Sequence, residues 1–160
     1  SRVINTSSIA HNAGKIRFKD INAERHYSAS ARYGMSKLAN LLFSYELQRR
    51  LEAADLPILS VACHPGIAST DLSRYMPRFL AKANELVQPL FNTAAAGAWP
   101  TLCAAVSGEV VGGDYYGPAN RFGTAGPATR VRSNRASRDI RVAERLWSLS
   151  VEMTGVDPGI

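Results

Sequence analysis

The sequence predicts an α/β fold built on a doubly wound parallel sheet, and three observations carry that expectation. A β-branched segment opens the chain at Arg2–Ser7, a continuous helical pattern fills residues 29 to 54, and Ile58–Cys63 is nearly all apolar. A strand that is apolar on both faces belongs inside a parallel sheet, covered above and below. Strand, long helix and buried strand in that order make a βαβ unit with a right-handed crossover.

The elements follow in order. Arg2-Val-Ile-Asn-Thr-Ser7 is rich in strand formers and starts with no leading loop. From Ser8 to Ser28, Asn12, Gly14, Asp20 and Asn22 separate the isolated apolar residues Ile16, Phe18 and Ile21, the pattern of a long surface loop with one short helical turn. Ser28 or Ser30 can cap the helix that follows, whose Leu38, Leu41, Leu42, Tyr45 and Leu51 recur at helical spacing. Asp55–Pro57 breaks it, and His64-Pro65-Gly66 stops the second strand at its carboxyl end, where open α/β sheets place ligands.

Beyond that point the signals weaken. Leu72 to Val87 reads as one or two short helices broken at Pro77 and Pro89, and Ala94–Val106 as an alanine-rich helix with a kink or late start at Pro100. Asp114–Gly117 should be a short strand after a Gly-Gly turn, Gly117 to Pro127 a loop, and Ser137 the cap of a last helix reaching about Thr154.

Composition narrows the class. An apolar fraction of 46% with 20% charged residues describes a globular protein with a real core. Gly, Pro or charge interrupts every apolar run before it could cross a bilayer, and the first residues lack the layout of a signal peptide. A soluble, cytoplasmic protein without stable membrane insertion is expected. Cys63 and Cys103 stand far from any metal spacing, and His11 and His26 have no partner at ligand distance in sequence, so no metal is implied.

The net charge of +6 gathers late, at Arg130, Arg132, Arg135, Arg138, Arg141 and Arg145. Arg138, Arg141 and Arg145 would share a helix face opposite Ile140, Leu146, Trp147 and Val151, as in a basic amphipathic helix for membrane or nucleic acid. Asp139, Glu144 and Glu152 dilute that charge and no aromatic platform interleaves it, so a solvated face is expected and no nucleic acid.

Three features then fall on one side of the βαβ unit: Ser7-Ser8 ending the first strand, Tyr33 and Lys37 on the crossover helix, and Pro65-Gly66 with Thr70 after the second strand. Residues four apart lie one turn apart on one helix face, so the Tyr33 and Lys37 tips can meet around one small molecule. Ile4-Asn-Thr-Ser-Ser8, Tyr33-Gly-Met-Ser-Lys37 and Pro65 to Thr70 together resemble the short-chain dehydrogenase/reductase family, whose members have a Rossmann-like sheet and use NAD or NADP.

The resemblance implies a catalytic set of Ser8, Tyr33 and Lys37. Tyr33 would be the general acid/base, Ser8 the donor to the substrate oxygen, and Lys37 both an electrostatic tuner of the tyrosine and an anchor for the nicotinamide ribose. A tyrosine of ordinary pKa near 10 shuttles protons poorly at neutral pH, and a neighbouring ammonium favours its phenolate. Pro65, Gly66, the main chain of Ile67 and the Thr70 hydroxyl would hold the nicotinamide carboxamide beside Tyr33 and Lys37. Small Gly34 and Ser36 would let the helix lie close to the cofactor.

The loop "SSIAHNAGKIRFKDIN", with "YGMSKLANLLF" and "HPGIASTDL", resembles the branch of retinol dehydrogenases and protochlorophyllide-reductase-like proteins. That likeness implies a fairly large, apolar alcohol or carbonyl substrate. Residues 1–160 would be the C-terminal catalytic half of a single Rossmann-like domain, because no "TGxxxGxG" turn, adenosine-ribose reader or "NNAG" segment is present; Asn12-Ala-Gly14 falls after the serine strand. Alone, such a half is expected to be inactive. The rival expectation is a non-catalytic cofactor- or small-ligand-binding member of the same fold, and a homo-oligomer is compatible with either.

Overall fold

A computed structural model describes residues 1–67 and 92–160. Strands β1 (Arg2–Thr6), β2 (Leu59–Cys63), β3 (Tyr115–Asn120) and β4 (Ala125–Arg130) form one sheet in the order β1-β2-β3-β4. The β1–β2 and β2–β3 pairs are parallel and β3–β4 is antiparallel. Helix α1 (Ala29–Ala53) links β1 to β2, α2 (Ala94–Val106) precedes β3, and α3 (Ile140–Thr154) closes the chain.

The alternation of β2 sorts the layers. Val61 and Cys63 point toward α2, where they pack with Ala104, Val110 and Tyr116, while Ala62 points to the opposite face and meets Leu41 and Tyr115. Both faces of the strand are therefore dry, which is why its sequence is apolar without a period. On the second face Leu38 and Leu42 of α1 pack with Ala143 of α3, and Leu47 and Leu51 with Trp147. Leu41 and Leu42 have no exposed surface, and truncating either to alanine should cost about 2–5 kcal/mol.

Helix α1 ends as its break predicts. The Leu56 N–H donates to the Leu51 carbonyl at 2.9 Å, and Asp55, with φ 52, takes the left-handed position that closes such a cap. Where β3 is still too short to pair with β2, the Ser60 N–H donates instead to Gln48 Oε1 of α1 at 2.7 Å. The Ser60 hydroxyl donates to the Ser44 carbonyl at 2.8 Å, so the α1–sheet contact carries a satisfied polar seam inside an apolar layer.

The C-terminal third departs from expectation in three places. Residues 117–127 are not a loop: β3 runs to Asn120, and β4 returns beside it after a turn at Arg121–Gly123. Gly126 and Pro127 hid this strand, which is tolerated because, among the described residues, β4 lies at the sheet edge and pairs on one side. Helix α2 spans Ala94–Val106 as expected, capped by Thr93 and running through buried Pro100 without the late start. Asp139, not Ser137, caps α3: its side chain accepts from Val142 N, whereas the buried Ser137 hydroxyl donates to Ser133 Oγ.

Finally, Arg138 lies in the turn before α3 and donates to the Ser133 carbonyl, and Ile140, placed on the apolar face by its spacing, is 58% exposed. Arg145 stacks over the Phe18 ring. The helix face that Arg138, Arg141 and Arg145 were expected to share is therefore incomplete, since Arg138 stands outside the helix. The short helices expected within residues 72–87 lie outside the described residues.

Candidate active site

The carboxyl ends of β1 and β2 lie side by side, with Thr6 paired to Cys63 and the Ser7 N–H donating to the Cys63 carbonyl at 2.7 Å. Past this point the two chains diverge, one into Ser8 and the other into His64-Pro65-Gly66. The serine strand is then bolted to α1 at the lysine. Buried Ser7 donates its hydroxyl to the Lys37 carbonyl at 2.8 Å, and the Thr6 carbonyl accepts from Asn40 Nδ2 at 2.8 Å and from Lys37 Nζ at 3.5 Å.

Tyr33 and Lys37 meet as their spacing predicts: Lys37 Nζ sits 5.6 Å from the Tyr33 ring centroid. Tyr33 is half-exposed at the first turns of α1. The Ser8 hydroxyl accepts from Ala10 N at 3.2 Å as it caps the turn Ile9–Ala13, a role that leaves its proton available to an incoming oxygen. Tyr33 and Lys37 thus meet on α1, and Ser8 lies two residues past Thr6, whose carbonyl Lys37 Nζ reaches.

Gly34, between the pair, serves a different neighbour from the one foreseen. It is buried against the loop: a Cβ on Gly34 would sit 3.0 Å from the Ala10 carbonyl, and one on Gly14 would collide with the Gly34 carbonyl. Its small size lets the turn Ile9–Ala13 lie on α1, and Gly14 is a packing residue there. Ser36 is exposed and bonds only backward, to the Tyr33 carbonyl at 2.8 Å. The rest of the loop is stapled beside Tyr33: Arg32 donates to the Asp20 carboxylate at 2.5 Å and to the His26 carbonyl at 2.7 Å. Main-chain N–H groups of Arg25 and His26 donate to the same carboxylate, and the Arg25 bond first of all holds the Asp20 pKa below its ordinary value.

The Pro65–Gly66–Ile67 turn is the other wall. Gly66 has φ 75, a left-handed conformation, and a Cβ there would collide with the Thr124 carbonyl and lie 2.7 Å from Pro118 Cγ. The Gly66 N–H donates to His64 Nδ1 at 3.2 Å, the Ile67 N–H to the Thr124 carbonyl at 2.8 Å, and the Ile67 carbonyl accepts from Asn92 N at 3.1 Å. Thr70 lies outside the described residues.

Beneath the turn lies a buried aromatic group. The His64 ring is 5.2 Å from that of Tyr115, and the His11 ring 5.8 Å from it on an edge. Burial, reinforced by the nearby His11, lowers the His64 pKa to about 4, and burial lowers that of His11 as well. Neutral imidazoles suit their contacts: His64 Nδ1 accepts from Gly66 N, while His11 Nδ1 faces the Ser8 carbonyl at 2.7 Å. Tyr115 is 3% exposed and its hydroxyl finds no hydrogen-bond partner among the described residues; burial raises its pKa and keeps it neutral. Tyr115 and Tyr116 both fill the core, on opposite sheet faces.

Sequence reasoning passed over Asn40, Arg32 with Asp20, and Asn92. Asn40 stands three residues after Lys37 on the same helix face, a signal that was legible; no local pattern marks Asn92. A cavity of about 450 Å³ lies elsewhere, between α1, β4 and the start of α3. Its Arg49, Arg130 and Arg138 already bond to Glu46, Asp114 and the Ser133 carbonyl, so it reads as a gap in an ion-pair layer rather than the chemical site.

A parallel sheet whose serine-bearing strand is bolted to a helix carrying a Tyr-x-x-x-Lys pair, with a Pro-Gly turn beside it, resembles the short-chain dehydrogenases/reductases, and over its whole length the chain has homologues of that family. It is 37% identical over 158 residues to human retinol dehydrogenase 12, covering 98% of this chain and 46% of that protein. Human polyprenol dehydrogenase is 33% identical over 159 residues, again 98% of this chain and 46% of the relative. A crystal structure of an uncharacterized protein from Mycobacterium paratuberculosis superposes with a TM-score of 0.80 at 38% identity, over 99% of this chain and 52% of that one. The chain therefore spans about half the length of the relatives it matches. No family model matches the sequence.

Proposed function

We propose that the chain is the catalytic, C-terminal half of an oxidoreductase that moves a hydride between NAD or NADP and an apolar alcohol or carbonyl compound. The observation that carries this reading is the Lys37 ammonium 5.6 Å from the Tyr33 ring, beside the carboxyl ends of two adjacent parallel strands. The names of the relatives, retinol and polyprenol dehydrogenases, support an extended apolar substrate. Among the described residues no helix is long and apolar enough to cross a membrane. The two cysteines are free thiols, which supports placement in the cytoplasm.

The residues present fit a nicotinamide nucleotide. Lys37 and Tyr33 offer donors to a ribose hydroxyl, and the Ile67 carbonyl keeps a second lone pair for the carboxamide, with Thr70 three residues further along the chain. A bound nicotinamide would supply or accept the hydride. The protein's own part is the proton and the geometry. Ser8 donates its hydroxyl to the substrate oxygen, Tyr33 gives that oxygen a proton in reduction and removes it in oxidation, and the Lys37 charge favours the anion that Tyr33 becomes.

The test is Tyr33→Phe in the full-length polypeptide. Removing the proton donor should lower NAD(P)H-dependent reduction of a long-chain aldehyde by about a thousandfold, with cofactor affinity nearly unchanged. Retained turnover would remove Tyr33 from the role; a wild-type protein that binds cofactor but reduces no carbonyl would favour the non-catalytic binding alternative.

A further inference from the structure

We infer that Asn92 is a positioning residue, which fixes the Pro65–Ile67 turn in the one shape that presents its main chain to a nicotinamide; this rests on the nicotinamide reading above. Asn92 is 6% exposed, and its main-chain N–H, side-chain nitrogen and side-chain oxygen each meet a neighbour from another part of the chain. Its N–H donates to the Ile67 carbonyl at 3.1 Å, its Nδ2 faces the Pro65 carbonyl at 3.5 Å, and its Oδ1 accepts from Gly126 N at 2.9 Å.

The orientation of this carboxamide is not free. Turning it over would set Nδ2 hydrogens against the Gly126 N–H, donor against donor, so the β4 main chain dictates that the amino group faces Pro65. The backbone of Asn92 is equally fixed, because the next residue, Thr93, caps α2 through its bond from Ala96 N at 3.1 Å. Helix α2, strand β4 and the strand-end turn therefore meet in one side chain.

The turn needs such a clasp. Pro65-Gly66-Ile67 contains a left-handed glycine, whose main chain has more allowed conformations than that of any other residue. Three partners remove that freedom: His64 takes the Gly66 N–H, the Thr124 carbonyl takes the Ile67 N–H, and Asn92 takes the two flanking carbonyls. With one lone pair of the Ile67 carbonyl on Asn92 N, the direction of the other is set. A misplacement of about 1 Å at such a contact can cost on the order of a hundredfold in rate.

The experiment uses the full-length polypeptide and two variants, Asn92→Ala and Asn92→Asp. The aspartate keeps an acceptor for Gly126 N–H and loses the donor to Pro65, so it separates the turn from the fold. Affinity is measured for NAD(P)H and for the matching ADP-ribose, which lacks the nicotinamide, alongside kcat and KM for a carbonyl substrate and the melting temperature.

Both variants should weaken NAD(P)H by about tenfold, the worth of one buried hydrogen bond, and lower kcat, while ADP-ribose affinity stays within twofold of wild type. Unchanged NAD(P)H binding, or an equal loss for ADP-ribose, overturns the inference. So does failure of both variants to fold, which would make Asn92 a stability residue alone; if only the alanine fails, the aspartate decides. A wild-type protein that binds no NAD(P)H overturns the nicotinamide reading itself, and Asn92's role with it.

Discussion

Two walls of the strand-end site are built in opposite ways. Tyr33 is half-exposed, and among the described residues its lysine neighbour makes one hydrogen bond through Nζ, a long one of 3.5 Å to the Thr6 carbonyl. Across from them, the N–H groups of Gly66 and Ile67 and the carbonyls of Pro65 and Ile67 are each engaged by His64, Thr124 or Asn92. On the proposed function the difference follows from the tasks. Side chains that exchange protons or grip a ribose must keep polar valences open until a ligand arrives, whereas a main-chain contact selects one face of a ring only if the backbone cannot shift.

The fixed wall should break first and hardest. Gly66→Ala places a methyl in a left-handed conformation and against the Thr124 carbonyl, so backbone strain and overpacking add to about 2–5 kcal/mol. Thermal unfolding should show that loss, with cofactor affinity falling too; a variant as stable and as tight as wild type would mean that the turn is not held as described. On the open wall Lys37→Met should leave the melting temperature nearly unchanged, since its one bond is long. It should lower kcat by about a hundredfold, or roughly 2.7 kcal/mol in the barrier, and a kcat within a few-fold of wild type would refute the pairing of Lys37 with Tyr33.

The imidazole under the turn sharpens the contrast through pH. The folded-state pKa of His64 is lowered by burial to about 4, below its ordinary value of 6.5, so between those values the unfolded chain binds the extra proton. Stability from this residue is full above pH 6.5 and drains as pH falls toward 4. From pH 7.5 to 5.5 it should account for about 1 kcal/mol. His11 acts in the same direction. In His64→Gln the shift of the denaturation midpoint between those two pH values should shrink; an undiminished shift would place the effect elsewhere.

The open wall and the Pro65–Gly66 turn were legible in the sequence, and the clasp that fixes the turn was not, for a physical reason. Tyr33 and Lys37 are neighbours through helix geometry alone, and the apolar run of β2 and the leucine spacing of α1 report on contacts each element must make. The clasp on Gly66 is assembled from His64, Thr124 and Asn92, whose meeting depends on β4. Strand β4 carries Gly126 and Pro127 and owes its existence to pairing with β3, including Tyr116 with Arg130 and Gly117 with Thr129. Ser137 misled in a similar way: serine at a helix start reads as a cap, yet its hydroxyl bonds inward to Ser133 Oγ at 2.7 Å and Asp139 caps instead.

The smallest effect should come from the staple that keeps the loop beside Tyr33. Asp20 gathers the N–H groups of Arg25 and His26 and the Arg32 guanidinium, and Arg32 immediately precedes Tyr33. The Asp20 pKa is depressed chiefly by the Arg25 N–H, so the staple is complete at any pH above the ordinary carboxylate range and is lost only as pH falls through the lower folded value. Asp20→Asn removes the charge and keeps the shape. Because Gly14 on Gly34 and Phe18 under Arg145 hold the loop independently, kcat at neutral pH should change by less than about threefold, within the range of a single ion pair. Tryptic cleavage at Lys19 or Arg25 should nonetheless quicken. Unchanged cleavage would assign the loop's order to those apolar contacts alone, and a large fall in kcat would show that Asp20, through Arg32, helps to place Tyr33.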